Sequence, residues 1–381
     1  MGRVKYGESV FDESIKRIQH LYEDGHRVIV SFSGGKDSGI CLELTILAAK
    51  ETDNLPVEVV MRDEEIMFPG TFEYSERMYN RKETRFHWLI ANQPVINIFN
   101  RECPYFWVFD SQLKPDEWVR QPPEFAEYIK EQDITHMINT KRFPPEEGKD
   151  LIAIIGLRTA ESKRRIMAIA SARGYLTKKN VAGCRRANPI YDWLDGDVWK
   201  AVRDNKWDYN HAYDVMWRHG VSRNRLRIEP PTLTTASVPQ LKKASQAWPV
   251  WFEKVCRRLP GVRAAARYGK RSVLPERRLD ETWEQCFQRT CIDEAPEWIR
   301  KRAQRVRDFV LKAHSKHSTS PYPQKVGCDR CPVPKSWRDL TNKMYMGNPF
   351  SIGGQFDKIL PYVEPEEFRE GAGRWGGKPT W

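Results

Sequence analysis

The chain reads as an α/β protein: an open, mostly parallel, twisted sheet with helices on both faces, extended by a mainly helical C-terminal region. Three observations predict this. Short apolar, β-branched runs at Val28–Val30, Val57–Val60 and Leu151–Ile155 read as buried strands. The first two stand at a spacing that admits a crossover helix between parallel neighbours. Beyond Glu229-Pro230-Pro231 the composition shifts to helical stretches rich in tryptophan and arginine.

In chain order, residues 8–24 predict an amphipathic helix, with Ser9 and Asp12 as a capping start and Gly25 as a stop. Val28–Ser31 is the first strand and Lys36–Lys50 the helix after it. Pro56–Met61 is the second strand and ends in an acidic turn, Asp63-Glu64-Glu65. Thr71–Leu89 reads as a helix, counting Phe72, Met78, Trp88 and Leu89 among its apolar positions. Residues 96–150 are dominated by proline and aromatics and read as a loop-rich insertion, either a lid or a packed extension of the core. Leu151–Ile155 is a central strand, and a helix follows it to Arg173, stopping at Gly174. Asp195 reads as the N-cap of a further helix, with Leu194 and Trp199 at staple positions. Trp248, Trp251, Phe252, Val255 and Leu259 lie at helical spacing and read as core. The expected organisation is a domain over 1–230, with its insertion at 96–150, and a basic helical region over 231–381 that ends in a glycine- and proline-rich tail.

The 381 residues are 40% hydrophobic and 30% charged. No apolar run approaches the length that spans a bilayer, and Met1–Tyr6 lacks an apolar signal core. The expectation is a cytoplasmic protein with no membrane partner. Its eight cysteines are then thiols or metal ligands rather than disulfides. The net charge of +12 suits either a polyanionic partner or simple solubility. Eight basic residues between Arg257 and Arg278, against the single Glu276, make the C-terminal half the expected face for a nucleic acid.

The chemistry concentrates after the first strand, in Ser31-Phe32-Ser33-Gly34-Gly35-Lys36-Asp37-Ser38. A strand, a glycine turn and a helix N-terminus direct backbone N–H groups and a positive dipole end at one point, which favours phosphate. Ser33 and Ser38 add hydroxyls and Lys36 a charge. A second such point follows Leu151–Ile155. There Gly156-Leu157-Arg158-Thr159-Ala160-Glu161-Ser162-Lys163-Arg164-Arg165 brings basic side chains to another helix start.

The segment Ser33–Ser38, S-G-G-K-D-S, resembles the pyrophosphate-binding PP-loop of the N-type ATP pyrophosphatases. Three more stretches resemble the phosphoadenosine phosphosulfate (PAPS) reductase-like branch of that superfamily. Asp63–Thr71 matches its D-x-E-x-x-F-P-x-T segment and Gly156–Arg165 its G-x-R-x-x-E-S-x-x-R motif. Pro189–Trp199 with Tyr209-Asn210 matches P-I-x-D-W-x-x-x-D-V-W…Y-N. The likeness covers about residues 26–230. It implies a PP-loop, adenine nucleotide α-hydrolase-like sheet that binds ATP with magnesium, or a sulfonucleotide (PAPS or APS).

It further implies that Ser31, Ser33, Gly34, Gly35, Lys36, Asp37, Ser38, Asp63, Phe68, Thr71, Arg158, Glu161, Ser162 and Arg165 line the nucleotide. Lys36, Asp37, Arg158 and Arg164 are the catalytic candidates: Lys36 on the leaving pyrophosphate, Asp37 on magnesium, the arginines on the far phosphates. The superfamily's commonest chemistry is ATP cleavage between the α and β phosphates, with adenylylation of an acceptor and displacement of AMP by sulfur or nitrogen.

Cys286-x4-Cys291, His314-x2-His317 and Cys328-x2-Cys331 supply six candidate ligands where four complete a metal site. Four cysteines (Cys286, Cys291, Cys328, Cys331) suit zinc or a [4Fe–4S] cluster, and two cysteines with two histidines suit zinc. Gly327-Cys328-x-x-Cys331 resembles the G-C-x-x-C turn of iron–sulfur PP-loop proteins, so the four-cysteine cluster is the expectation. The E-C-G-x-H motif that carries the nucleophilic thiol of PAPS reductases does not occur after Cys331. Sulfur transfer to a nucleic acid or another acceptor is therefore favoured over sulfonucleotide reduction through Cys328 or Cys331. A non-catalytic nucleotide- or nucleic-acid-binding partner protein is the other alternative.

Overall fold

Arg27–Phe32 (β1) forms the middle of a sheet because it is apolar on both faces, as a strand covered by helices must be. The computed structural model describes residues 9–130, 136–223, 226–228, 238–331, 336–349, 354–360 and 362–369. The expected domain boundary at 229–231 and the end of the glycine-rich tail lie outside them. The chain divides into two units, residues 1–91 with 120–229, and residues 92–119 with 230–381.

In the first unit, β1 pairs in parallel with Val57–Arg62 (β2) on one side and, later in the chain, with Leu151–Ile154 on the other. Thr84–Ile90 (β3) continues the sheet beyond β2. Two short strands, Pro94–Ile96 (β4) and Tyr105–Trp107 (β5), form a separate antiparallel pair. Glu127–Tyr128 (β6) returns to the main sheet, followed by Leu151–Ile154 (β7) and Cys184–Ala187 (β8). Among the described residues the sheet order is β6-β3-β2-β1-β7-β8, every pairing parallel. The expected doubly wound α/β architecture is what forms.

Val10–Glu23 (α1) starts at Ser9, whose hydroxyl accepts the Asp12 N–H at 3.1 Å, as the capping pattern predicts. Lys36–Glu51 (α2) connects β1 to β2. The predicted helix over Thr71–Leu89 is corrected. The helix is Pro69–Tyr79 (α3), with Pro69 at its first position, and β3 begins at Thr84. The stretch Thr84-Arg85-Phe86-His87-Trp88-Leu89-Ile90 carries the aromatics that fit a pleated surface, and pairing with β2 buries Trp88 and Leu89 completely. The remaining helices of this unit are Lys163–Ala172 (α4), Asp195–Asn205 (α5) and Ala212–Arg218 (α6).

The second unit is largely helical. Val238–Ala247 (α7), Pro249–Arg258 (α8), Val262–Tyr268 (α9), Trp283–Phe287 (α10), Glu297–Ser315 (α11) and Trp337–Met346 (α12) share this unit with the β4–β5 pair. Trp251, Phe252, Val255 and Leu259 are buried, as their spacing predicts. Segment 92–119 is tied in by polar contacts: the Arg101 guanidinium donates to the Thr290 carbonyl at 2.8 Å, and the Arg101 carbonyl accepts from Trp298 Nε1 at 2.8 Å. No helix among the described residues is long and apolar enough to cross a membrane.

Candidate functional site

β1 ends at Phe32, and α2 begins four residues later at Lys36. Gly34 makes the turn at φ +70°, a left-handed conformation that suits glycine, and a Cβ there would stand 2.6 Å from Thr71 Cγ2. Gly35 is the N-cap and supplies no side-chain cap, so the positive end of a 16-residue helix is left for an anion. The Ser38 hydroxyl accepts the Ser33 N–H at 3.2 Å, lies 3.1 Å from Ser33 Oγ and donates to the Gly35 carbonyl at 3.0 Å. These bonds fix the loop from within.

Two residues brace it from outside. The Asn210 amide donates to the Gly34 carbonyl at 2.8 Å and to Thr71 Oγ1 at 2.9 Å. The Tyr213 hydroxyl accepts the Lys36 N–H at 2.9 Å, and burial pushes this phenol up, keeping it neutral. The sequence marks Tyr209-Asn210 only as part of a fold motif, and Tyr213 carries no motif signal. Their role appears once α6 is seen against the loop.

β7 delivers the second half of the site. A Cβ on Gly156 would lie 2.7 Å from the Asp37 carbonyl carbon and 2.9 Å from the Ser38 nitrogen. The two strand-end connections therefore touch backbone to backbone. Two residues on, Arg158 is 3% exposed. Its Nε donates to Asp37 Oδ1 at 2.7 Å, and its Nη2 donates to Glu161 Oε1 at 3.1 Å and lies 3.7 Å from Asp195 Oδ1. Lys36 Nζ stands 3.5 Å from Asp37 Oδ2 and 3.6 Å from Asp195 Oδ1. Arg165 closes on Glu161, and Arg223 Nε donates to Asp195 Oδ2 at 3.0 Å. Alternating charges thus hold Lys36 and Arg158 in place at the carboxyl ends of β1 and β7, where ligands of open parallel sheets bind. Asp37 and Asp195 offer hard oxygen donors around one ammonium, a donor set that suits magnesium.

Asp195 corrects its expected role. The N-cap of α5 is Leu194, whose N–H is accepted by Asp197 Oδ2 at 2.8 Å. Asp195 stands at the next position, and its carboxylate turns to Lys36, Arg158 and Arg223, a pull from three cations that capping does not match.

The other expected nucleotide residues divide. Ser31 lies within β1 beside Val60 of β2. Asp63, Phe68 and Thr71 are buried at 0%, 1% and 1% exposure. Asp63 accepts from Trp88 Nε1 at 2.9 Å, from the Glu65 N–H at 2.9 Å and from Arg120, so its carboxylate is spent inside the fold. Ser162 caps α4 by accepting the Arg165 N–H at 3.3 Å. Arg164 is exposed in the first turn of α4, outside the ion-pair network of Lys36 and Arg158.

In the second unit, His314, Cys328 and Cys331 come together, one ligand atom of each within 4.8 Å of the others. Cys286 and Cys291 do not join this group. Both are fully buried, and Cys291 Sγ faces Thr290 Oγ1 at 3.6 Å and the Thr341 carbonyl at 3.8 Å. Burial raises the Cys291 thiol to about 12. Backbone N–H groups of Arg330 and Cys331 aimed at Cys328 hold its thiol below the ordinary value, while burial raises that of Cys331.

Residues 27–219 match the phosphoadenosine phosphosulfate reductase domain. Uncharacterized protein YbdN of Escherichia coli (strain K12) is 26% identical over 309 residues, which cover 71% of this chain and 72% of that protein. Uncharacterized protein MJ0066 of Methanocaldococcus jannaschii is 27% identical over 221 residues, 55% of this chain and 39% of its own length. Among solved structures, the Candida glabrata FMN adenylyltransferase with FMN and an ATP analogue is 13% identical at a TM-score of 0.35, over 56% of this chain and 65% of that one. The Candida auris PAPS reductase with phosphate is 14% identical at a TM-score of 0.29, over 56% of this chain and 94% of that one. Both are too distant to bear on ligand or reaction. The domain match spans half of the sequence and encloses the glycine loop, Arg158 and the Asn210–Tyr213 brace. This chain belongs to the phosphoadenosine phosphosulfate reductase domain family.

Proposed function

We propose that the loop site binds the phosphates of ATP, and that the protein cleaves ATP between its α and β phosphates to adenylylate an acceptor for sulfur transfer. One observation carries this reading. Arg158 reaches Asp37 in the first turn of α2, 121 residues earlier, so the two phosphate-type strand ends share one ion-pair network around Lys36. An acceptor oxygen would attack the α-phosphorus, the bond to the bridging oxygen would break, and pyrophosphate would leave with the electron pair. Lys36 and the positive N-terminal end of α2 would stabilise the charge that builds on that leaving group. Arg158 would hold the far phosphates in line, its position fixed beforehand by Asp37 and Glu161. Magnesium carried in with the triphosphate would neutralise phosphate charge, with Asp37 and Asp195 as its protein ligands. A nucleophile at the sulfide oxidation level would then displace AMP.

The test is calorimetric binding of Mg·ATP and PAPS, followed by release of pyrophosphate and AMP with sulfide present. Binding of ATP that is lost in Lys36→Ala supports the reading. Sulfite released from PAPS by a thiol, with no pyrophosphate from ATP, would replace it with sulfonucleotide reduction. Binding of neither nucleotide at millimolar concentration would sink both.

A further inference from the structure

We propose that His314, Cys328 and Cys331 form a mononuclear zinc site in place of the four-cysteine iron–sulfur cluster that the sequence resemblance implies. This rests on the second unit alone and is independent of the nucleotide reading.

The argument begins with distances. Tetrahedral zinc, with Zn–S near 2.3 Å and Zn–N near 2.1 Å, sets its thiolates about 3.8 Å apart and a thiolate and imidazole nitrogen about 3.6 Å apart. The three ligand atoms here already lie within 4.8 Å of one another, with His314 Nδ1 3.0 Å from Cys331 Sγ. One ion reaches all three after shifts of less than about 1 Å.

The histidine is also set up as a ligand. His314 lies in the last turn of α11, is 5% exposed and packs edge-on against Tyr322. Its Nε2 is 2.8 Å from the Ser320 carbonyl, an acceptor only, so Nε2 carries the proton. The Nδ1 lone pair is thereby turned to the cysteines. An imidazole whose far N–H is held by a carbonyl is the usual outer support of a zinc-bound histidine. On the other side, Cys328 and Cys331 share a tight turn in which the Cys331 N–H donates to the Cys328 carbonyl at 3.2 Å.

Two thiolates with one imidazole suit zinc, whereas a [4Fe–4S] cluster takes four thiolates. The other two candidates are committed elsewhere. Cys291 is part of the apolar core with Phe287, Trp337 and Leu340, and Cys286 is fully buried on α10. Among the described residues no further thiol, imidazole or carboxylate joins the group, and residues 332–335 are Pro, Val, Pro and Lys. With three protein ligands among the described residues, a water in the fourth position would give zinc the open arrangement of a reactive site.

The test uses the full chain purified anaerobically under reducing conditions, with metal content and acid-labile sulfide measured together. The expected result is one zinc per chain, with affinity falling at least tenfold in His314→Ala and Cys328→Ser and unchanged in Cys286→Ser. Cobalt exchanged into the unmodified protein should give thiolate charge-transfer and tetrahedral ligand-field bands. Should a variant fail to fold, X-ray absorption of the unmodified zinc protein decides, two sulfurs and one nitrogen supporting the site and four sulfurs overturning it. Iron with labile sulfide lost in Cys286→Ser and Cys328→Ser alike would overturn the proposal. So would zinc content unaffected by either ligand variant, or no metal retained and no cobalt bands.

Discussion

Arg158 is the partner of two carboxylates at once, so its removal is felt twice. With Asp37 at 2.7 Å and Glu161 at 3.1 Å, Arg158→Met removes two charge-assisted hydrogen bonds, leaves Asp37 only Lys36 and Glu161 only Arg165, and costs about 2 kcal/mol in urea unfolding. Arg158→Lys keeps the charge but loses the planar fork, and should retain most stability while weakening ATP binding at least tenfold by calorimetry. Gly156→Ala acts sterically. Its methyl group would press on the Asp37 carbonyl carbon from 2.7 Å, displacing the start of α2 at a cost of about 2 kcal/mol. ATP affinity should fall with it. A third residue shows the electrostatics of the second unit. Arg289 donates to both oxygens of Glu281, at 2.7 and 2.8 Å, and holds this carboxyl at about 2 against an ordinary 4.5. Because the unfolded chain binds the proton more readily, the pair's contribution is complete above pH 4.5 and fades as pH falls toward 2. Urea midpoints measured from pH 5 to 2.5 should drop less steeply in Glu281→Gln than in the unmodified protein.

The site's elements were legible to different degrees. The glycine loop, α2 and β7 follow from periodicity and turn chemistry, since a strand apolar on both faces and a glycine break announce themselves locally. β3 did not. Phe72, Met78, Trp88 and Leu89 can be laid on a helical template, and only pairing with β2 shows that the last two belong to a strand. Asp195 failed for a related reason. An aspartate before a helix is read as a cap, and nothing local reveals the three cations that come from other parts of the chain. The same holds for Asn210 and Tyr213, contributed by the entry to α6 and by α6 itself. Tyr213→Phe tests that support: it leaves the Lys36 N–H without its acceptor and should cost about 1 kcal/mol. Hydrogen exchange at Lys36 should accelerate while the β1 amides stay protected.

For the whole molecule, the division of the chain matters more than its length. The polypeptide leaves the first unit after Ala91, re-enters it at Arg120 and leaves again after Glu229. Segment 92–119 carries Ile96, Ile98, Tyr105 and Trp107, which cluster with Phe368, and the Tyr105 hydroxyl donates to the Val363 carbonyl at 2.6 Å. A fragment ending at residue 228 keeps these side chains but loses their partners. It should aggregate and bind a hydrophobic dye, whereas the same fragment with 92–119 replaced by a glycine–serine linker should stay monomeric in gel filtration.

The bonds that complete the loop also set when, during synthesis, it can work. Ser33–Ser38 leaves the ribosome before its partners: Arg158 lies 121 residues beyond Asp37, and Asn210 and Tyr213 lie 176 and 177 residues beyond theirs. At about 5–20 residues per second, translation takes roughly 10–35 s to travel from the loop to its last brace. Throughout that interval the nascent chain displays the glycine turn without the residues that shape it, so nucleotide capture by the proposed site would wait for Tyr213 to emerge.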